Sequence, residues 1–95
     1  MIHAVATLGS MSVMSDLDLS RTQVTGSISS LRGLSLRNLW LGDTQVSGDI
    51  VAFGAMTDLI WLDLSNLKNV YGATYSLRNL VHLEVRFPVE MKILQ

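Results

Sequence analysis

Leucines recur along the chain in a frame that returns about every 22 residues. The last two apolar positions of each copy are two residues apart, and side chains two apart point to the same face of a β-strand. The frame therefore predicts short strands near residues 15–19, 38–41, 60–64 and 82–85, with the leucines turned towards a core. Its four copies are Met14-x-x-Leu17-x-Leu19, Leu36-x-x-Leu39-x-Leu41, Leu59-x-x-Leu62-x-Leu64 and Leu80-x-x-Leu83-x-Val85.

The segment that follows each of the first two frames is also repeated. Residues 22–28 read TQVTGSI and residues 44–50 read TQVSGDI, so five of seven residues are identical at an offset of 22. A repeat of this kind indicates one structural unit per copy, stacked so that the strands form a parallel sheet. Apolar residues three apart follow in both copies, which favours an extended or 3₁₀-like return arm over an α-helix: Ile28, Leu31 and Leu34, then Ile50, Phe53 and Met56.

Three glycines occupy matching places in these connecting segments. They are Gly26, Gly48 and Gly72, and each follows a valine by two residues. Glycine reaches positive φ without steric cost and lets other groups approach the backbone closely. We therefore expect each to serve a turn or a close contact.

The unit resembles that of the leucine-rich repeat (LRR) family, Leu-x-x-Leu-x-Leu-x-x-Asn-x-Leu, and its Val-x-Gly-x-Ile ending is similar to the plant-type subclass. The resemblance covers about residues 5–87. It implies an α/β-type solenoid, a right-handed coil of about four turns with a short parallel β-sheet on one face and extended or 3₁₀ return arms. The family's Asn is replaced by Thr22, Thr44 and Leu67. A threonine hydroxyl can bond nearby backbone and a leucine cannot, so we expect these corner bonds to stop at Leu67.

The length of 95 residues fits one domain, residues 1–95. The spacing of three places Val5, Leu8 and Met11 on an N-terminal return arm, so the chain would begin within a turn of the solenoid. The frame ends before Pro88, and residues 88–95 are expected to be a cap or a divergent tail. Uncapped ends of a solenoid expose apolar edges, so we expect self-association. Because neither end supplies an obvious polar cap, we expect the chain to be a piece of a longer array.

Composition and charge narrow the function classes. Hydrophobic residues make up 48% and charged residues 16%, which argues against disorder. The net charge of −1 gives no electrostatic basis for nucleic-acid binding. The absence of cysteine excludes disulfides and thiolate metal sites and leaves the compartment open. No apolar stretch approaches the roughly 20 residues of a membrane span, so we expect no membrane insertion.

Side chains between the inward leucines face solvent and form a candidate binding surface. The frame places Asp16, Asn38, Trp61 and His82 at its first position, Asp18, Trp40, Asp63 and Glu84 at its second, and Ser20, Gly42, Ser65 and Arg86 at its third. The second position makes Asp63 and Glu84 adjacent like charges. With Asp43 and Arg21 included, the face carries five acids and two arginines, a net charge of −3.

Trp40 and Trp61 are the only tryptophans, and both are predicted on this face. Exposed tryptophan is enriched at binding hot spots, so we expect them to contact a partner. The alternative is that the two rings stack on each other and cover the sheet. The acids predict a protein or peptide partner with basic and aromatic or apolar character, whereas the alternative for them is a solvated surface.

No motif for catalysis, a cofactor or a metal accompanies this face. His82 is the only histidine within the repeats and has no second histidine or cysteine near it in sequence. The sequence therefore predicts a non-catalytic protein–protein interaction module that binds on its β-sheet and uses no cofactor. The alternative is a structural fragment of a longer receptor-like or adhesive array with no partner of its own.

Overall fold

The computed structural model describes residues 14–86 and the backbone of residues 93–94. The described strands form two four-stranded sheets, and every recorded pairing is parallel. Strand order is β1-β3-β5-β7 in the first sheet and β2-β4-β6-β8 in the second, so the chain alternates between the sheets. The strands are β1 Asp16–Asp18, β2 Thr25–Ser27, β3 Asn38–Trp40, β4 Gln45–Asp49, β5 Trp61–Asp63, β6 Asn69–Ala73, β7 Glu84–Arg86 and β8 Ile93–Leu94.

Short 3₁₀ helices connect the second sheet back to the first. They span Ile28–Leu31, Ile50–Ala55 and Thr74–Leu77, and each turns apolar side chains inward. The prediction of a 3₁₀-like return arm is confirmed in the two repeats where the spacing of three was seen. The result is a small α/β domain with parallel strands in two sheets, and no sheet closes into a barrel among the residues described.

The central residues of the first three strands in the first sheet lie side by side. Leu17 pairs with Leu39, and Leu39 pairs with Leu62. Leu39 and Leu62 are fully buried, and Phe53 from the second 3₁₀ helix is fully buried in the same core cluster. These three strands lie within the ranges expected from the leucine frame, because the repeat length there changes by one residue at most.

The fourth strand of the first sheet lies two residues later than the frame predicts. The frame aligns Leu83 with Leu62, whereas Val85 is the residue paired with Leu62. Leu80 N donates to Leu77 O and Leu83 N donates to Leu80 O, so the chain turns at Val81 and His82 before the strand begins. A slip of one residue would reverse the inward face, but a slip of two preserves it, so the apolar pattern is satisfied in either register.

The three glycines have the backbone conformation that the sequence predicts. Their φ angles are 109° at Gly26, 128° at Gly48 and 136° at Gly72. A Cβ on Gly72 would lie 2.8 Å from Ile50 Cγ1 and would also collide with Asp49 Oδ1, at the start of the second 3₁₀ helix. Gly48 and Gly72 therefore let their repeats pack directly against the helix start of the repeat before.

The corner threonines bond the backbone of their own repeat. Thr22 Oγ1 donates to Leu19 O at 2.6 Å, and Thr44 Oγ1 donates to Leu41 O at 2.7 Å. The third repeat has Leu67 at this place, 2% exposed, and its side chain cannot form the bond. The predicted interruption is present, and apolar burial replaces the hydrogen bond.

Some predictions fall on residues that the structure does not describe. The N-terminal arm with Val5, Leu8 and Met11 lies outside the described residues, and so does most of the segment 88–95. Of that segment, residues 93–94 form the strand β8 next to β6.

Candidate binding face of the first sheet

Two rows of outward side chains run across the first sheet, perpendicular to its strands. The strand pairing fixes their order, because residues opposite each other share a row and alternate residues share a face. The first row is Asp16, Asn38, Trp61 and Glu84, and the second row is Asp18, Trp40, Asp63 and Arg86.

The two-residue slip of β7 corrects the expected positions of three residues. Glu84 lies beside Trp61 in the first row, and Arg86 lies beside Asp63 in the second. The predicted like-charge pair of Asp63 and Glu84 is therefore wrong, and an opposite charge stands next to Asp63 instead. His82, predicted on the first row, is exposed in the turn before β7.

The two tryptophans lie on adjacent strands but in different rows. Trp40 has Asp18 and Asp63 on its two sides, and Trp61 pairs with Asn38 on one side and Glu84 on the other. Both tryptophans are half-buried. The ring contact recorded among the described residues is Arg78 over Tyr75 at 4.2 Å, which involves neither indole. Among the described residues no contact between the two indole rings is recorded, so the alternative in which they stack on each other has no support.

The indole nitrogen of Trp61 is buried without a hydrogen-bond partner. An unsatisfied buried donor costs about 1–3 kcal/mol, so this nitrogen is a local cost to the stability of the chain. Sequence reasoning did not find this feature, because it depends on how the ring packs. A residue that carries such a cost on an exposed sheet face is a candidate for function.

Serine side chains hold the two carboxylates that flank Trp40. Ser65 N and Ser65 Oγ donate to Asp63 Oδ1 at 2.9 and 2.7 Å. Ser20 N donates to Asp18 Oδ1 at 2.9 Å, and Ser20 Oγ donates to the same oxygen. The repeated sequence Leu-Asp-Leu-Ser at 17–20 and 62–65 was the available signal for this arrangement.

The environment of Asp18 favours its charged form. The Ser20 hydroxyl bond lowers the pKa of Asp18 most, followed by the Ser20 backbone bond, while slight desolvation opposes them and Arg21 adds a small further lowering. Hydrogen bonds to a carboxylate stabilise the anion, so Asp18 keeps its charge to lower pH than an ordinary aspartate.

Gly42 occupies the place that serine has in the neighbouring repeats. A Cβ at Gly42 would lie 2.7 Å from Ser65 Oγ and 3.4 Å from Asp63 Oδ1. Glycine therefore leaves the space in which Ser65 and Asp63 form their hydrogen bonds.

Asparagines link neighbouring repeats at the margins of the face. Asn38 Nδ2 donates to Asp16 Oδ1 at 2.8 Å, and Asn66 Nδ2 donates to Asp43 Oδ1 at 2.8 Å. These two bonds join neighbouring repeats and occupy one oxygen each of Asp16 and Asp43. The hydrogen bonds recorded for the carboxylates beside Trp40, by contrast, come only from a serine of their own repeat.

Two grooves lie at opposite ends of the strands. One, of about 420 Å³, is lined by Ser35, Arg37, Thr57, Asp58, Leu59, Ile60, Val81 and His82, so it receives the histidine that the sequence placed on the sheet. The other, of about 440 Å³, is lined by Asp43, Thr44, Gln45, Val46, Asn66, Lys68 and Asn69.

The described residues contain no group of three or more His, Cys, Asp or Glu arranged to hold a metal ion. Within the same part of the chain, no helix combines the length and apolarity needed to cross a membrane. Comparison of the chain with protein-family models, with curated proteins and with solved structures found no match.

Proposed function

We propose that this chain is an LRR-type solenoid that binds a protein or peptide on the outer face of the first sheet. One observation carries the proposal: Trp40 and Trp61 are half-buried on adjacent strands of that face, among Asp18, Asp63 and Glu84. The proposal includes no catalytic step, no metal and no cofactor.

The path of the chain supports the solenoid. Equivalent central residues of the first sheet are 22 or 23 positions apart, and the strands between them belong to the second sheet. Each circuit therefore crosses both sheets once and turns its leucines into the space between them. Crossover connections between parallel strands are right-handed in nearly all proteins, so we expect a right-handed coil.

The charges on the face support a basic partner. Four of its eight row positions are carboxylates and one is an arginine. Such a field steers encounter and disfavours acidic partners such as nucleic acid, while aromatic side chains supply most of the affinity. A peptide with basic residues and an aromatic or apolar anchor matches both features.

The first test is the double substitution Trp40→Ala and Trp61→Ala. Peptides that bind the chain are selected from a basic, aromatic-containing library, and their dissociation constants are measured by calorimetry. Loss of hot-spot tryptophans costs about 2 kcal/mol or more, so we expect the dissociation constant to rise by at least about 30-fold.

The matched control, Tyr71→Ala and Tyr75→Ala, removes two aromatic rings that do not lie on the face. These tyrosines are 55% and 69% exposed and belong to β6 and the third 3₁₀ helix. Binding that survives loss of the tryptophans but is lost with the tyrosines would place the site on the second sheet and refute the proposal.

The second candidate is a structural segment of a longer array with no partner of its own. It is favoured by the outermost leucines of the first sheet. Leu17 and Leu19 are 8% and 7% exposed, whereas the equivalent Leu39 and Leu41 are fully buried, so the first described repeat is slightly less buried than the next one.

A further inference from the structure

The second row of the first sheet places an indole between two carboxylates. Its first three members are Asp18 on β1, Trp40 on β3 and Asp63 on β5. Neighbouring strands are about 4.8 Å apart, so the two aspartates begin about 10 Å from each other across Trp40. The indole is half-buried, which leaves part of its surface open between them.

Both carboxylates are held in place before any partner arrives. In each, Oδ1 accepts two hydrogen bonds from the serine two residues later. Among the described residues no partner is recorded for Oδ2 of either aspartate, so each retains an acceptor for a ligand. Groups that are already oriented bind with a smaller loss of conformational freedom.

Among the described residues, no salt bridge is recorded between a cation of the chain and either aspartate. Arg86 follows Asp63 in the same row, on the side away from Trp40. Arg21 lies beyond the end of β1, and its charge contributes least to the lowered pKa of Asp18. In this row the residue between the two aspartates is Trp40.

We propose that this arrangement binds the guanidinium group of a partner's arginine, stacked on Trp40 with its N–H groups directed at Asp18 and Asp63. The inference rests on the proposed peptide-binding function and specifies the residue that the face selects. A guanidinium is planar, stacks on aromatic rings and carries five N–H donors on opposite sides, so it can reach both carboxylates at once.

Lysine fits the same place less well. Its ammonium is a compact, strongly hydrated charge, and its cation–π attraction to the indole is not combined with a flat stacking surface. An ammonium can approach one carboxylate closely but cannot span two that are about 10 Å apart. Tighter binding of arginine than of lysine therefore distinguishes this site from a generally acidic surface.

The test uses three blocked tripeptides, acetyl-Gly-Arg-Gly-amide and its lysine and citrulline counterparts, titrated into the full chain. Binding is followed by the NMR signal of the Trp40 indole N–H at constant ionic strength. We expect saturable shifts with the arginine peptide, about five-fold weaker binding of the lysine peptide, and no saturation with citrulline, which keeps the shape but lacks the charge.

Three variants separate the site from long-range charge. Asp18→Asn and Asp63→Asn should each weaken the arginine peptide several-fold, because each removes one charged acceptor. Asp58→Asn makes the same change of charge at an exposed residue in the groove near His82, and it should leave binding unchanged. An equal effect of all three variants would refute the site.

The outcomes also separate this inference from the proposed function. If library peptides bind through the tryptophans but tolerate Arg→Lys replacement, the guanidinium site is wrong and the peptide-binding function stands. If the arginine tripeptide saturates at Trp40 while no library peptide binds, the site stands and the broader function is wrong. Absence of a saturable shift at Trp40 with the arginine tripeptide overturns the inference.

Discussion

One backbone position just after each of the first three strands of the first sheet sets the corner of the repeat. Arg21, Asp43 and Asn66 have φ angles of 60°, 59° and 56°, the left-handed conformation. Asp and Asn enter this region with little cost because their short polar side chains bond locally, whereas arginine has no such compensation. The conformation is therefore imposed by the path of the chain, since it occurs even where the residue does not favour it.

The serine bonds to Asp18 make a prediction at the same scale. Replacing Ser20 with alanine removes the hydroxyl that lowers the pKa of Asp18 most, so that pKa should rise towards its ordinary value. A lowered folded-state pKa contributes stability that is present above the unfolded pKa and is lost as pH falls through the folded pKa. The variant should therefore lose stability near neutral pH and match the parent chain in strong acid.

The measurement for this prediction is an NMR titration of the Asp18 carboxyl carbon, with urea unfolding at several pH values. Ser65→Ala is the control, because Ser65 bonds Asp63 and not Asp18. A titration of Asp18 that does not move in Ser20→Ala would show that the hydrogen bond is not made in solution.

The 3₁₀ helices differ in how their first turns are capped. Ser27 Oγ accepts from Ser29 N at 3.2 Å, and Asp49 Oδ1 accepts from Val51 N at 2.9 Å. The third helix has Ala73 at the equivalent place and no side-chain cap. The first two 3₁₀ helices therefore have a side-chain cap, and the third does not.

Restoring that cap should stabilise the chain. Aspartate at a cap position is worth about 0.5–1 kcal/mol over alanine, so Ala73→Asp should raise the free energy of unfolding in urea by that amount. The reverse change, Asp49→Ala, should lower it by about 1 kcal/mol. If Ala73→Asp proves neutral while Asp49→Ala destabilises, the third helix does not start at residue 74 in solution.

The repeat pattern predicts the register of the first three strands of the first sheet correctly, but not that of the fourth. The first three strands keep their spacing, so the flanking of Trp40 by Asp18 and Asp63 could be predicted from the alignment alone. The fourth strand could not, because Leu83 and Val85 satisfy the inward position equally well and only the turn at residues 81–82 decides between them. The buried indole nitrogen of Trp61 depends on ring packing, which the pattern does not contain.

At the scale of the whole molecule, the described first sheet has β1 and β7 as its outer strands. In the row of inward residues, Leu39 and Leu62 are fully buried, Leu17 on β1 is 8% exposed, and Val85 on β7 is only partly buried. Parallel strands bond alternate residues to opposite sides, and Glu84 N donates to Ile60 O while Leu64 N donates to Arg86 O. The backbone groups of Val85 therefore point away from β5, towards the outer edge of the sheet.

We expect the chain to self-associate through these edges, with β7 of one copy beside β1 of the next. Such a contact joins different surfaces and does not close on itself, so the weight-average mass in sedimentation should keep rising with concentration beyond that of a dimer.

Val85→Pro removes the outward N–H without removing a bond to β5, and proline is tolerated at sheet edges, so this variant should associate less. Val81→Ala, at a residue 80% exposed in the preceding turn, is the control and should associate like the parent chain. A chain that stays monomeric at every concentration would contradict the prediction, and it would also remove the support for a structural segment that stacks end to end.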